Sequence, residues 1–175
     1  MRIPQVIMAL AGTLMCTGCS ELTALHSFVP ENEAVLDARL PGVWMDGDEM
    51  YIVRPEGNGY TISRSQKESA AVYKLKATLL KVGDARIMDL MPAEEDVFQI
   101  AAHTPLRVWV DDTKLRIAFL DSQWLRAQAS GQLAVQALEG RLLITSPADQ
   151  VTRFLLTYGG DDRAYGKPVV LTKHP

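Results

Sequence analysis

The side chains best suited to chemistry in this chain are two cysteines and three histidines. Cys16 and Cys19 stand three positions apart near the N-terminus, so by themselves they form neither a disulfide framework nor a four-ligand zinc site. His26, His103 and His174 are far apart, and no spacing pairs His103 with a serine or a carboxylate. A nucleophile activated by histidine is therefore not indicated, and we assign no catalytic residue.

The chain also lacks the short motifs of the common enzyme classes. It contains no Gly-x-Gly-x-x-Gly, no Gly-x-x-x-x-Gly-Lys-Ser/Thr, no His-Glu-x-x-His and no Gly-x-Ser-x-Gly, so nucleotide, zinc-protease and hydrolase signatures are missing. The absence of these motifs argues against those enzyme classes, but it does not exclude an enzyme of an unfamiliar class. We interpret the protein as a non-enzyme without a cofactor, and keep an enzyme with an unrecognised site as an alternative.

Three acidic clusters are typical of solvated loops rather than of metal sites. Residues 46–49 (DGDE) lack the ligand spacing and the closing glutamate of a twelve-residue calcium loop. Residues 111–112 fall in a predicted hairpin turn, where aspartate is favoured for its bonds to the backbone. Residues 94–96 belong to a long connection after Pro92, which is most simply a solubilising loop. We predict no metal site.

The overall composition is that of one globular domain. The 175 residues are 47% hydrophobic and 22% charged, which excludes a disordered or fibrous chain. The formal net charge is -3, from 18 basic and 21 acidic residues. Because no positive charge is in excess, the chain is poorly suited to neutralise a phosphate backbone, and we predict no nucleic-acid partner.

The N-terminus has the organisation of an export signal. Arg2 is followed by an uncharged segment over residues 3–20, with an apolar run over residues 6–15. A permanent membrane span needs ~20 apolar residues, and this segment contains Pro4 and Gly12. The pattern therefore predicts a signal peptide that is removed after export.

The end of this segment, residues 14–20 (LMCTGCS), resembles the lipobox of bacterial lipoproteins. Thr17 and Gly18 occupy the small positions before the cysteine, whereas Cys16 departs from the aliphatic residue of the pattern. The resemblance implies cleavage between Gly18 and Cys19, with a diacylglyceryl group on the Cys19 sulfur and a further fatty acid, such as palmitate, on its amine. An ordinary secretory signal that is cut elsewhere is the alternative.

The residues after the lipobox bear on where the protein would lie. Ser20 replaces the aspartate that commonly retains lipoproteins in the inner membrane, so the resemblance implies the outer membrane of a Gram-negative envelope, facing the periplasm. Residues 19–38 show no sustained period and contain Pro30, so we predict a lipidated N-terminus and tether. About 18 residues of tether reach at most ~60 Å, which keeps the domain near the lipid surface.

From Gly42 the hydrophobic pattern alternates with a period of two, which predicts half-buried antiparallel strands. The alternation is clearest over residues 71–79, 106–110 and 115–119. Turn residues at 55–59, 83–84, 111–113 and 139–140 divide the chain into about eight strands. Closing such a sheet into an up-and-down barrel removes its exposed edges, although a strongly curved open sheet fits the same pattern.

Two helices are also predicted. The first covers residues 121–128 with Asp121 as its cap, and the second begins at Ser146, with Pro147 in its first turn and a stop at Gly159. Val151, Phe154, Leu155 and Tyr158 form an apolar stripe on the second helix that fits packing against the sheet. We therefore place a barrel-like domain with a C-terminal helix at residues 39–165, and a tail at 166–175.

Gly42-Val43-Trp44, just before the first strand, is similar to the Gly-x-Trp that opens the lipocalins. The resemblance implies a mainly β, up-and-down barrel with possible room for a small apolar ligand. Because large aromatic side chains usually contribute burial, we predict that Trp44 plugs one end of the barrel, with direct contact to a ligand as the alternative. A longer pattern is similar to a group of uncharacterised bacterial lipoproteins, which has no assigned activity. That pattern consists of Gly42 to Trp44, residues 87–92 (IMDLMP), His103 and residues 120–124 (LDSQW).

These features together lead to a hypothesis of function. We expect a lipid-anchored cell-envelope protein that acts as a binding module for a small apolar ligand, with its partners in the membrane and the envelope. A protein-interaction or envelope-assembly lipoprotein is the alternative. The sequence does not identify the ligand-binding residues.

Overall fold

The computed structural model describes residues 22–93, 102–138 and 141–175. In chain order, these residues form β1 (Leu22–Ala24), β2 (Ala34–Val35), β3 (Gly42–Asp46), β4 (Glu49–Glu56), β5 (Gly59–Gln66), β6 (Val72–Val82), β7 (Ala85–Pro92), β8 (Thr104–Val110), β9 (Lys114–Phe119), α1 (Ser122–Gln128), β10 (Val135–Leu138), β11 (Arg141–Ile144), α2 (Ala148–Tyr158), a 3-10 turn (Asp162–Ala164) and β12 (Val169–His174).

Eight of these strands close into an antiparallel barrel. Strands β3 to β9 each pair with the next along the chain, β12 pairs with both β9 and β3, and β6 pairs with both β5 and β7. The ring is complete, so every barrel strand has a neighbour on both sides. The prediction of a mainly β, eight-stranded antiparallel barrel with two helices is confirmed.

The eighth barrel strand is separated from the seventh by the two helices. The segment between β9 and β12 holds α1, β10, β11 and α2, and the chain then returns to the barrel. The prediction of a tail at residues 166–175 is wrong, because Leu171 pairs with Leu115 on one side and Lys173 pairs with Trp44 on the other. Only Leu171 of this strand is buried. A single buried position does not produce a hydrophobic alternation that could be recognised in the sequence.

Residues 22–38, which we expected to be a tether, belong to the fold. Strand β1 pairs in parallel with β11, which also pairs with β10, and these three strands form a second, smaller sheet. Phe28 is fully buried, and its carbonyl accepts a 2.7 Å hydrogen bond from the hydroxyl of Thr152 on α2. The domain therefore begins at least as early as Leu22. Its first strand was not recognised because its three residues are too few to show alternation.

The strands present their side chains to two separate apolar cores. The first core, which we call the inner core, lies in the interior of the barrel and consists of Leu40, Trp44, Val53, Tyr60, Ile62, Ala77, Leu79, Met88, Leu106, Val108, Leu115 and Leu171. The second core, which we call the outer core, lies outside the barrel. There, Leu80, Val82, Ala85 and Ile87 from β6 and β7 meet apolar residues of the smaller sheet and of both helices. The barrel is thus packed on its inside and covered on part of its outside.

Both helices begin and end close to where the sequence placed them. The carboxylate of Asp121 accepts a 2.7 Å hydrogen bond from the backbone N–H of Trp124, which confirms it as the N-cap of α1. Helix α2 begins one residue after Pro147 and ends before Gly159. Its buried Val151 and Phe154 contribute to the outer core, as the apolar stripe predicted. Within the described ranges, no helix has the length and apolarity to cross a membrane.

Candidate functional site

One end of the barrel is closed by the turn that precedes β3. Leu40 and Trp44 are fully buried there, and the indole N–H of Trp44 donates a 2.9 Å hydrogen bond to the carbonyl of Leu40. The hydroxyl of Tyr60 accepts from the Asp37 N–H at 2.6 Å and donates to the Asp37 carbonyl at 3.2 Å. The expectation that Trp44 plugs a barrel end is confirmed.

The same turn is fixed by an ion pair. The Arg39 guanidinium lies 2.6 Å from the Asp37 carboxylate, and its hydrogen bond to Asp37 holds the pKa of that carboxyl below its usual range. Burial raises the pKa of the Tyr60 hydroxyl. Asp37 is therefore ionised and Tyr60 is a hydrogen-bond donor at neutral pH, so the closed end is stabilised by polar contacts as well as by packing.

The opposite end, which we call the mouth, is where β4, β6, β8 and β12 begin. A row of three cross-strand partners lies there, because Arg64 pairs with Tyr51 on β4 and with Tyr73 on β6. Paired residues share one face of a sheet, and Tyr51 packs against the inner core. The three side chains are therefore on the inner face of the sheet, at the rim of the barrel.

Glu49 connects this row into a polar cluster. The Arg64 guanidinium donates to both carboxylate oxygens of Glu49, with Nε at 3.1 Å, and the hydroxyl of Tyr51 donates to the same carboxylate. The Arg64 guanidinium carbon also lies 5.9 Å from the centre of the Tyr73 ring, within the range of a cation–π contact. The cluster presents an arginine held in a fixed position beside an exposed aromatic ring.

The protonation states of this cluster follow from its contacts. The hydrogen bonds from Arg64 and then from Tyr51 hold the pKa of Glu49 below its usual range. Burial, and next the bond to Glu49, raise the pKa of Tyr51 to about 12. At neutral pH, Glu49 is thus an anion that accepts from both neighbours. The Arg64 side chain is still 42% exposed, which leaves part of the guanidinium able to contact another molecule.

Large apolar side chains are exposed around the mouth. Eight such side chains are exposed among the described residues, and five of them lie at this end. We call these five the mouth ring; they are Val72, Tyr73, Phe119, Val169 and Val170, which are 42–61% exposed. Val72 and Tyr73 lie on β6, whereas the other three lie on the paired strands β9 and β12, so apolar groups are exposed at two places on the rim. Exposed apolar groups beside polar ones are typical of interaction surfaces, and tyrosine and arginine are enriched among the residues that dominate binding.

Two members of the mouth ring correct the sequence analysis. Tyr73 and Phe119 were assigned to buried faces of their strands, but they are 61% and 47% exposed. The alternation was interpreted correctly, since Phe119 pairs with the buried Leu106. The strands extend past the core at the mouth, however, so these inward-facing residues stay exposed, although Arg64 lies over the ring of Tyr73. No local pattern reveals where a core ends.

A second polar cluster lies outside the barrel and joins β7 to the start of β8. Asp89 is almost fully buried, and one of its carboxylate oxygens lies 2.9 Å from Nδ1 of His103. The other accepts a 2.8 Å hydrogen bond from the hydroxyl of Ser27. The backbone of His103 also pairs with that of Ala24. The sequence analysis missed this cluster because its members are 14 and 62 residues apart.

The order of these contacts is not that of a catalytic triad. In a triad, the imidazole lies between the hydroxyl and the carboxylate and takes the proton of the nucleophile. Here Asp89 is in the middle, and the hydroxyl of Ser27 is bonded to the carboxylate. The cluster therefore attaches the N-terminal segment to two barrel strands, and we assign it a structural role.

The acidic clusters form turns where the structure describes them. The carboxylate of Asp111 accepts the N–H groups of Thr113 and Lys114 at 2.9 and 2.7 Å, which lowers the pKa of Asp111. Residues 46–49 form the tip of the β3–β4 hairpin, where Gly47 and Asp48 make the turn and Gly47 has a positive φ of 57°. Residues 94–96 lie outside the described residues. No group of three potential metal ligands is found in the ranges that the structure describes.

A groove of about 260 Å³ lies on the outside of the fold, beside α2. It is lined by Gln132, Gln150, Arg153, Phe154 and Thr157, and Gln150 closes part of it by donating a 2.6 Å hydrogen bond to the carbonyl of Gln132. The groove is separate from the barrel interior, where the inner core is packed. The groove was not identified from the sequence, which indicated the barrel interior as the place for a small ligand.

Cys16, Gly18 and Cys19 lie outside the described residues, so cleavage and lipidation stay predictions. Comparison of the chain with protein-family models, with curated proteins and with solved structures finds no match in any of the three.

Proposed function

We propose that this protein is a lipid-anchored envelope protein that binds another envelope protein at the mouth of its barrel. The observation that carries the proposal is the set of exposed apolar side chains in the mouth ring, of which Tyr73 lies beside the Glu49–Arg64 pair. Partly exposed arginine and tyrosine next to apolar groups match the composition of residues that dominate protein interfaces.

The packing of the barrel favours a protein partner over a small ligand. An eight-stranded barrel is just wide enough for side chains to fill it, or to hold one small molecule. Twelve buried residues, among them Trp44, Met88 and Leu106, occupy this interior. A partner that contacts the rim needs no space inside, whereas an apolar ligand inside the barrel would share the interior with these side chains.

The proposed anchor rests on the lipobox-like residues 14–20. Two or three acyl chains on Cys19 would hold the protein on a membrane, because each buried methylene contributes ~0.8 kcal/mol and one chain binds only reversibly. With Ser20 after the lipidated cysteine, we propose the outer membrane, on its periplasmic side. Labelling with radioactive palmitate that is lost in Cys19→Ser would support the anchor, whereas an unlabelled protein free in the periplasm would contradict it.

Site-specific photo-crosslinking in living cells tests the interaction. A photoreactive amino acid replaces Tyr73 or Phe119 at the mouth, and the matched control positions are Leu36 and Leu156, which are also exposed, at 55% and 44%, but lie elsewhere. We expect a discrete crosslinked protein from the mouth positions and none from the controls. Identical patterns at all four positions, or no crosslink at any, would overturn the proposal.

A small apolar ligand at the same mouth is the second candidate. It is favoured by Phe119 and Val169, which face the inner side of the barrel. Their cross-strand partners are Leu106, which belongs to the inner core, and Ile117, which packs against it. Native mass spectrometry of the purified protein would show a retained lipophilic molecule, and Phe119→Asp should release it. Crosslinking to lipid instead of protein at position 119 would favour this candidate.

A further inference from the structure

The chain enters the fold a very short distance after its proposed anchor. Strand β1 begins at Leu22, which is buried and paired with Leu142 of β11. Cys19 precedes Leu22 by three residues, and three residues span at most ~11 Å even when fully extended. If Cys19 carries acyl chains, the N-terminal end of β1 is therefore held close to the lipid surface.

The end of strand β10 lies beside this entry point. In the register of the smaller sheet, Leu142 is level with Leu22 in β1 and with Ala137 in β10. Leu138 is the next residue, one position further in the direction of the anchor, and β10 is two strand spacings from β1, about 10 Å. Leu138 is 50% exposed, although it is a large apolar residue at the end of a strand.

The direction of β1 shows that the mouth lies on the opposite side of the fold from the N-terminal end of this strand. Ala24 forms an antiparallel bridge with His103, just before β8, and β8 runs from the mouth towards the closed end. Strand β1 therefore runs towards the mouth, and its N-terminal end, with Leu138 beside it, is directed away from the mouth.

We propose that Leu138 is a second membrane contact, which rests in the headgroup region of a phospholipid bilayer beside the acylated Cys19. This inference rests on the proposed lipid anchor. Transfer of an apolar side chain from water into the interface lowers its free energy. A second point of contact also restricts the orientation of the domain, which a single flexible attachment leaves free. The mouth ring then faces away from the anchoring membrane, where a partner can reach it.

Fluorescence quenching in vesicles tests this contact. The mature lipidated protein is reconstituted into vesicles of phosphatidylethanolamine and phosphatidylglycerol that contain lipids with a nitroxide near the headgroup. Leu138→Cys and, as a control of similar exposure, Val72→Cys at the mouth are each labelled with an environment-sensitive thiol reagent. After processing, the Cys19 sulfur is a thioether, so the introduced cysteine is the only free thiol in the mature sequence.

We expect loss of fluorescence and a blue shift at position 138, and neither change at position 72. Equal quenching at the two positions, or none at 138, would overturn the inference. The mass of the N-terminal peptide separates this outcome from failure of the anchor itself. An unacylated Cys19 would refute the proposed anchor, whereas an acylated Cys19 with an unquenched label at position 138 would refute only the second contact.

Discussion

The indole N–H of Trp44 donates a 2.9 Å hydrogen bond to the carbonyl oxygen of Leu40, and both residues are fully buried at the closed end of the barrel. Trp44→Phe should therefore leave a buried carbonyl without a donor and a small void beside it. We expect a loss of about 2 kcal/mol in the free energy of unfolding, measured by urea denaturation. A change below about 0.5 kcal/mol would mean that the barrel end relaxes around the smaller ring.

Strand β12 completes the barrel, although the sequence analysis placed it in a tail. Val169–His174 bonds to β3 on one side and to β9 on the other, so its removal would expose two unpaired strand edges and leave the inner core without Leu171. We expect a chain truncated after Lys167 to lose cooperative thermal unfolding. A chain that lacks only Pro175 should unfold like the full-length protein. A folded, cooperative truncation would show that the seven remaining strands suffice.

The sequence predicted those parts of the fold that depend on neighbouring residues. Alternation along β8 and β9 identified the inner face, and Asp121 marked the start of α1 through its bond to Trp124, three residues away. Hairpins connect strands that are adjacent in sequence, so turn residues divided the strands of the meander from β3 to β9. The strands predicted around residues 139–140, β10 and β11, were wrongly included in the meander, because they belong to the smaller sheet.

The parts that were not predicted depend on distant residues. Leu22 pairs with Leu142, and Leu171 pairs with Leu115, and no local pattern specifies such a partner. The candidate site likewise depends on residues that are distant in sequence. Arg64 is 15 residues from Glu49, and it lies beside Tyr73 only because β5 and β6 are in this register. Exposure at the mouth depends on where the core stops, which is a property of the whole barrel.

The buried pair of Asp89 and His103 should be energetically coupled. A double-mutant cycle with Asp89→Ala and His103→Ala removes each partner alone and then both together. Each single variant leaves a partly or fully buried polar group without its partner, so the double variant should be destabilised by less than the sum of the two. We expect a coupling of about 1–3 kcal/mol from urea unfolding. Additive effects would contradict a direct interaction between the two side chains.

Ser27→Ala serves as the comparison for this cycle. It removes a hydrogen bond to the same carboxylate, but Ser27 is exposed, and water can replace the hydroxyl. Its cost should stay near or below about 1 kcal/mol.

Gly59 lies where a strand backbone approaches its neighbour too closely for a side chain. A Cβ at this position would lie 2.5 Å from the carbonyl oxygen of Ala77, a backbone atom that cannot rotate away. We expect Gly59→Ala to destabilise the protein by about 1–3 kcal/mol through forced separation of β5 and β6. Gly160→Ala is the matched control, because a Cβ there meets nothing within 4 Å. Its melting temperature should match that of the wild type, and an equal loss in both variants would exclude the steric explanation.

The Glu49–Arg64 pair should make stability depend on pH in the acid range. The pKa of Glu49 is lower in the folded chain than its ordinary value of 4.5, so ionised Glu49 stabilises the fold above pH 4.5, and this contribution is lost as the pH falls through the folded pKa. Because Arg64 is 42% exposed, we expect the contribution to be only about 1 kcal/mol.

Urea unfolding of the wild type and of Glu49→Gln, from neutral pH to about pH 3, measures this contribution to the free energy of unfolding. The difference between the two proteins should be largest near neutral pH and should shrink below pH 4.5. Arg64→Met should remove most of the same pH-dependent part, because only the Tyr51 hydroxyl bond to Glu49 is then left to lower its pKa, and the double variant should lose little more than Glu49→Gln. Parallel curves for the wild type and Glu49→Gln across the whole range would show that Glu49 has no ionic partner in solution.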